Sequence, residues 1–232
     1  MSDAGSPRKP WTLGRMYFQL DAIAECYILA HSLGYGEAGH ALVSETDALG
    51  DPAVMMLARE QYALFRFLAA QLGCTRALDV GTFTGLSALA FAEGMKPHGR
   101  VTTIDRDPAW IEIARKHWKA GGVDDRIDVV VGEAGDVLRH MQANDRDRFD
   151  IVFLDVDKAR IREYFEAALA LITPRGLVMV DNTFWHGWIF DPDRTDPDTE
   201  GMRQFNEDLA GDSRVEVVML PIADGLTMVR RR

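Results

Sequence analysis

Cysteine is scarce in these 232 residues: there are two, Cys26 and Cys74, and no C-x-x-C pair. That excludes a disulfide framework and a zinc knuckle, and it fits a reducing compartment, so the cytoplasm is the expected location. Long apolar runs are missing too, since nothing approaches the roughly 18 consecutive apolar residues of a membrane span. Arg8 and Lys9 near the start have no apolar run behind them, so no export leader is expected either. Basic charge is in deficit, with 26 Lys and Arg against 36 Asp and Glu and a net charge of −10. A chain without a basic face does not neutralise phosphates, and nucleic acid and anionic membrane are not expected as partners. What the chain does have is apolar content: 47% hydrophobic residues supply a full core and exclude a disordered chain.

Along the chain, short Val/Ile/Leu/Phe runs alternate with longer segments of helical spacing, the rhythm of βαβ units and a parallel sheet. Strands are expected at residues 76–80, 100–104, 127–131, 149–154 and 177–180, each apolar on both faces as buried parallel strands are. Helices are expected at 85–94, 108–120, 134–143 and 160–172, with Pro108 at a first turn and Gly121-Gly122 and Thr173-Pro174-Arg175-Gly176 as stops. The last two strands, 214–220 and 226–230, are separated by only Pro221 to Gly225, too short for a crossover helix, so they form an antiparallel hairpin. The fold class is α/β, with a Rossmann-like, mostly parallel sheet, an antiparallel C-terminal hairpin and helices on both faces. Residues 1–52 are expected to form a helical arm or lid and 53–232 the main domain. Upstream of the sheet, helical patterns at about 20–33 and 52–72 are joined by a Gly-containing stretch at 34–50. His31 ends the first of them and reads as a satisfied structural histidine. A long irregular stretch at 183–199 carries Trp185, Trp188 and Phe190, and loops of that length are usually functional.

The first strand runs through Asp79 and Val80 into Gly81-Thr82-Phe83-Thr84-Gly85, and a helix opens at Leu86-Ser87. Ligands of open α/β sheets sit at such carboxyl ends, and glycine lets the backbone approach them. The dinucleotide fingerprint G-x-G-x-x-G fails, because Phe83 and Leu86 stand at its second and third glycines, which disfavours a nicotinamide oxidoreductase. Asp105 at the end of the second strand is placed to accept from ribose hydroxyls; it is equally placed to cap the helix at Pro108. An acid inside the glycine turn repels phosphate, so the ligand should carry positive charge there, and S-adenosylmethionine fits.

The fourth and fifth strands end in Asp155-Val156-Asp157-Lys158 and Asp181-Asn182. On neighbouring strands, about 4.8 Å apart, Asp155, Asp181 and Asn182 converge at the edge of the glycine turn. Two carboxylates and an amide oxygen are hard ligands suited to Mg²⁺, with Ca²⁺ or Mn²⁺ as alternatives; the same residue types also serve as turn and N-cap residues. Trp185, Trp188 and Phe190 either sandwich a planar substrate or form a lid packed on its own domain, and His186 either binds substrate or hydrogen-bonds the loop.

These segments in this order resemble the cation-dependent, S-adenosylmethionine-dependent O-methyltransferases, the group of catechol and caffeoyl-CoA O-methyltransferases. The stretches that carry the likeness include ALDVGTFTGLSALA (77–90), VTTIDRD (101–107), AGGV (120–123), GEAGDVL (132–138), FDIVFLDVDK (149–158), DNTFWHG (181–187) and VEVVMLPIADGLTMVRR (215–231). The resemblance implies a seven-stranded sheet and methyl transfer to a hydroxyl of a small catechol-type aromatic. It implies that Asp79 and the backbone near Gly81, Phe83 and Ser87 hold the methionine part of the cofactor. Asp105 then takes the ribose, Ala134 lies by the adenine, and Leu57, Asp157 and Tyr164 make further cofactor contacts. It assigns Asp155, Asp181 and Asn182 to the metal and Lys158 to the general base, against the alternative of a solvated lysine, and it suggests a homodimer. Asp79 stands where Glu is more frequent in the group, and Val156 where a small or polar residue is usual. A non-catalytic S-adenosylmethionine sensor or partner subunit is the alternative function; its mark would be lost metal ligands, and all three are present.

Overall fold

The computed structural model describes residues 22–144 and 148–232. Its helices are α1 (Ala22–His31), α2 (Glu37–Asp47), α3 (Arg59–Gln71), α4 (Leu86–Gly94), α5 (Pro108–Ala120), α6 (Ala134–Asn144), α7 (Ile161–Leu171) and α8 (Pro197–Ala210). The strands are β1 (Arg76–Val80), β2 (Arg100–Asp105), β3 (Ile127–Val131), β4 (Phe149–Leu154), β5 (Ile172–Val180), β6 (Val215–Leu220) and β7 (Leu226–Arg231). They form one sheet in the order β3-β2-β1-β4-β5-β7-β6. The first five are parallel, and β7 runs antiparallel to both β5 and β6. The expected seven-stranded sheet with its terminal hairpin is therefore present.

Successive side chains on a strand point to opposite faces, and the central strands are apolar on both. In β4, Ile151 and Phe153 join one apolar cluster with Tyr62, Phe65, Phe91 and Trp118. Val152 and Leu154 join the other, with Leu138, Phe165 and Phe205. Helices α2 to α5 thus cover one face and α6 to α8 the other. The chain winds outward from β1 to β3 and then crosses back to β4, so strand order reverses between β1 and β4, where open sheets of this kind bind their ligands.

Three expectations need correction. The 34–50 stretch contains α2, whose fully buried Leu42 belongs to the core beside α4 and α5. The helix expected over 52–72 is broken: a 3-10 turn, Asp51–Met55, precedes extended backbone at Met56 and Ala58, and α3 starts at Arg59 with the Gln61 side chain accepting from the Ala58 N–H. The irregular stretch ends early, because α8 begins at Pro197. Asp196 caps it by accepting from the Thr199 N–H, and its apolar stripe is only Met202, Phe205 and Leu209. That stripe is too narrow to stand out in a polar sequence.

Residues 173–176 do follow a helix end but lie within β5. Pairing with β4 jumps from Phe149–Ile172 to Ile151–Leu177, so Pro174 sits in an irregularity where the ladder needs no N–H from it. His31 is satisfied, bonded to the Tyr27 carbonyl oxygen at 2.8 Å and stacked on its ring, at the exposed end of α1. Residues 20 and 21 of the first expected helix lie outside the described residues.

If α2 folds as one unit with the sheet, Leu42→Ala lowers stability by about 2–5 kcal/mol in urea unfolding, with a single transition kept. A change below about 0.5 kcal/mol would show that α2 is not part of the cooperative core.

Candidate active site

Gly81 makes the site's geometry possible. It follows β1 at φ 103°, and a Cβ built on it would lie 1.9 Å from the Asp155 carbonyl oxygen, so no other residue fits. The ends of β1 and β4 are thereby held together, with the Asp155 N–H donating to the Val80 carbonyl at 2.8 Å. A small pocket opens there, lined by Leu57, Gly81, Phe83, Ser87 and Asp155 among others. Five of the residues marked in the sequence are thus brought together.

Asp79 lies beneath this pocket, fully buried. Its Oδ2 accepts from Thr103 Oγ1 at 2.7 Å and Ser87 Oγ at 3.0 Å, while Oδ1 is buried without a hydrogen-bond partner. Burial, only partly offset by those two bonds and reinforced by the charges of Asp155 and Asp105, pushes its carboxyl up from 3.8 to about 7. An unpartnered carboxylate oxygen at this depth calls for a donor from a ligand, preferably a cationic one. Asp105, half-buried, accepts from the Phe83 N–H at 2.7 Å and the Asp107 N–H at 2.9 Å, while Asp107 caps α5. The helix-cap alternative for Asp105 is therefore not what the structure has; Asp105 fastens the glycine turn to β2.

At the next strand ends, Val180 pairs with Leu154, and the Asp181 N–H donates to the Leu154 carbonyl at 3.0 Å, so Asp155 and Asp181 are neighbours. Burial first, then the Asp155 charge, pushes the Asp181 carboxyl up to about 7. Gln61 Nε2 donates to Asp181 Oδ1 at 2.6 Å, a contact with no sequence signal because α3 lies 120 positions away. Asn182 has φ 52°, a left-handed conformation that Asn tolerates. Lys158 is only 2% exposed, so it is not a solvated lysine, and its Nζ lies 3.2 Å from Asp155 Oδ1. The donor set suits a hard divalent cation: two mutually repelling carboxylates and an amide oxygen. Among the described residues, no cluster of three or more His, Cys, Asp or Glu could hold a metal by itself.

The remaining marked residues lie further out. Asp157 is exposed and accepts from the Tyr164 hydroxyl at 2.7 Å. Burial, then that bond, pushes the Tyr164 phenol up. Ala134, half-buried, opens α6 and packs on the apolar cluster that includes Leu138. Trp185, His186 and Gly187 are three successive residues with positive φ (46°, 57° and 76°), a strained run of the kind that clusters at functional sites. The Trp185 ring lies 5.8 Å from Lys158 Nζ, whereas Phe190 is 71% exposed and touches Phe184. Residues that sequence reasoning missed come mostly from α8: Asp198 accepts from the N–H groups of Lys158 (3.0 Å) and Ala159 (2.8 Å), and Asn206 donates to the Thr183 carbonyl at 2.9 Å.

A buried acid with a raised pKa contributes stability that is complete below its unfolded value and is lost as pH rises through its folded value. For Asp79 that window runs from 3.8 to about 7. Asp79→Asn should therefore raise the Tm of the ligand-free protein at pH 8 by at least about 3 °C, with the gain vanishing near pH 4, in thermal unfolding at both values. A gain of equal size at both pH values would overturn this account.

Comparison with known proteins gives the family. A family model described as O-methyltransferase matches residues 36–232. The chain is 32% identical over 207 residues to the probable caffeoyl-CoA O-methyltransferase 1 of Dictyostelium discoideum, covering 88% of this chain and 90% of that protein. It is 29% identical over 197 residues to the catechol O-methyltransferase of Niastella koreensis, covering 84% and 88%. Among solved structures, the O-methyltransferase TomG of Streptomyces achromogenes, in complex with S-adenosylmethionine, matches with a TM-score of 0.83 at 30% identity, covering 90% of this chain and 96% of that one. By fold, by sequence and by the pocket at its switch point, the chain belongs to the O-methyltransferase family.

Proposed function

We propose that the protein transfers a methyl group from S-adenosylmethionine to one hydroxyl of a catechol-type aromatic, assisted by a divalent cation. The observation that carries this reading is the pair Asp155 and Asp181, set side by side at adjacent strand ends with buried Lys158 against the first. The names of the Dictyostelium and Niastella relatives and the cofactor of the Streptomyces structure support it.

In this reading, Asp79 Oδ1 accepts from the amino group of the methionine part, Ser87 and Thr103 hold that carboxylate in place, and the Gly81–Phe83 backbone lets the cofactor approach. Asp105 takes the ribose, Ala134 lies by the adenine, and Leu57, Asp157 and Tyr164 make further cofactor contacts. Asp155, Asp181 and Asn182 would hold the cation, Mg²⁺ being the first choice for oxygen ligands. Bound there, it supplies orientation of two adjacent hydroxyls and electrostatic stabilisation of the oxyanion. Lys158 Nζ takes the proton of the reacting hydroxyl, and Asp155 and the Trp185 face hold that amine in position. Gln61 keeps the Asp181 carboxylate oriented. A cytoplasmic homodimer belongs to the same reading, supported by Ile23, Tyr27 and Ile28, which α1 leaves exposed; a monomeric mass in light scattering would remove the dimer.

With labelled S-adenosylmethionine, Mg²⁺ and a panel of catechols, the protein should transfer methyl, and a chelator should abolish the transfer. Asp155→Ala and Lys158→Ala should each lower kcat by at least about 100-fold, the scale of losing a general base or a fixed electrostatic partner. Asp79→Asn should weaken S-adenosylmethionine binding by at least about tenfold in calorimetry, the scale of a lost charge-assisted hydrogen bond. Chelator-resistant transfer would sink the cation's part, and full turnover in Lys158→Ala would remove that residue from the mechanism.

A further inference from the structure

The segment between Asn182 and α8 has little regular structure to satisfy its backbone, and yet it carries the rings next to Lys158. Its start is fastened from the β6–β7 hairpin. The His186 N–H donates to both carboxylate oxygens of Asp224 at 2.8 Å, and the Phe184 N–H to the Asp224 carbonyl at 2.9 Å. Past Gly187 two turn bonds, Asp191 N–H to the Trp188 carbonyl and Arg194 N–H to the Asp191 carbonyl, are joined by one side chain from α8. Arg203, on the second turn of α8, donates from Nε to the Ile189 carbonyl at 3.1 Å. Its Nη2 donates to the carbonyls of Asp191 at 3.0 Å, Arg194 at 3.2 Å and, more weakly, Trp188 at 3.4 Å. Glu200 accepts from Nη1, leaving the rest of the guanidinium facing the loop. Four carbonyls spread over seven residues thus converge on one planar fork.

These bonds reach the site through the rings of the same loop. Trp188 lies under the Arg194 guanidinium at 4.3 Å and meets Trp185 edge to face at 6.3 Å, and Trp185 in turn lies against Lys158 Nζ. We propose that Arg203 is a positioning residue that selects the methyl acceptor by locking this aromatic loop beside Lys158. It touches neither cofactor nor acceptor and acts through the carbonyls that set where Trp185 and Trp188 stand. The acceptor part of this proposal rests on the methyl-transfer reading above; the lock itself does not. Lysine keeps the charge, but its three donors sit on one rotating atom without the Nε and Nη1 arms that fix the plane on Ile189 and Glu200, so Arg203→Lys removes the fork and little else.

The test is limited trypsin digestion of the full chain and of Arg203→Lys. Cleavage after Arg194 should be at least about tenfold faster in the variant, because local opening of the loop becomes easier. S-adenosylhomocysteine affinity by calorimetry and the urea midpoint should stay at wild-type values. With 3,4-dihydroxybenzoate as acceptor, the variant's KM for the acceptor should rise about tenfold while the KM for S-adenosylmethionine stays put, the pattern of lost acceptor binding. Unchanged cleavage after Arg194 would overturn the proposal. So would faster cleavage along the whole chain, or a fall in kcat with both KM values unchanged. Trypsin needs no turnover, so a wild-type protein inert toward catechols would sink the catechol reading while the digestion still decides the lock.

Discussion

The Asp155 carbonyl oxygen occupies the space where any side chain at residue 81 would begin. Everything chemical in the molecule depends on that close approach. Because Gly81 yields, the tips of β1 and β4 meet at the point where the sheet reverses its order. Asp79 is then buried below the pocket, Asp155 stands at its rim and Asp181 lies one strand further on. A methyl group at residue 81 would separate the glycine turn from the Asp155–Lys158 turn, and the two halves of the site would no longer share a cavity.

The second consequence is electrostatic. Four acids, Asp79, Asp105, Asp155 and Asp181, gather along this edge of an already acidic chain, and two of them are pushed to about 7 by burial. Such an arrangement is costly unless positive groups come to it. Lys158 offsets part of the charge from inside the fold. In the function proposed above, a cofactor with an amino group and a sulfonium, together with a divalent cation, would offset the rest. The field that makes the site unfavourable by itself favours a cationic ligand, and the net charge of −10 is of one sign with it.

Helix α8 ties the irregular parts to this frame. Asp198 holds the turn of Lys158 by its N–H groups, Asn206 holds the strand end beyond Asn182, and Arg203 gathers the loop that carries Trp185 and Trp188. The backbone of Gly201 packs so closely that a Cβ there would lie 2.5 Å from the Lys158 carbonyl oxygen. Two loops, the one between β4 and α7 and the one between β5 and α8, are in this way referred to one rigid element, the arrangement a precisely held site needs.

Much of this was legible along the chain, because parallel strands buried on both faces announce themselves as short apolar runs and glycine turns are local. Strands 76–80, 127–131 and 149–154 stand where their residues put them, and the carboxylates at the strand ends follow from the strands. What stayed hidden depends on partners distant in sequence. The narrow stripe of α8 becomes a helix face only against the Phe165 side of the sheet, and Gln61 finds Asp181 across 120 positions. Arg203 reads as one arginine among many until the fold brings four carbonyls around it. Local periodicity and turn chemistry decided the architecture and the residue types at the site. The tertiary structure alone decided which polar groups meet and which buried oxygen is left without a donor, because hydrogen bonds are satisfied in space and not along the chain.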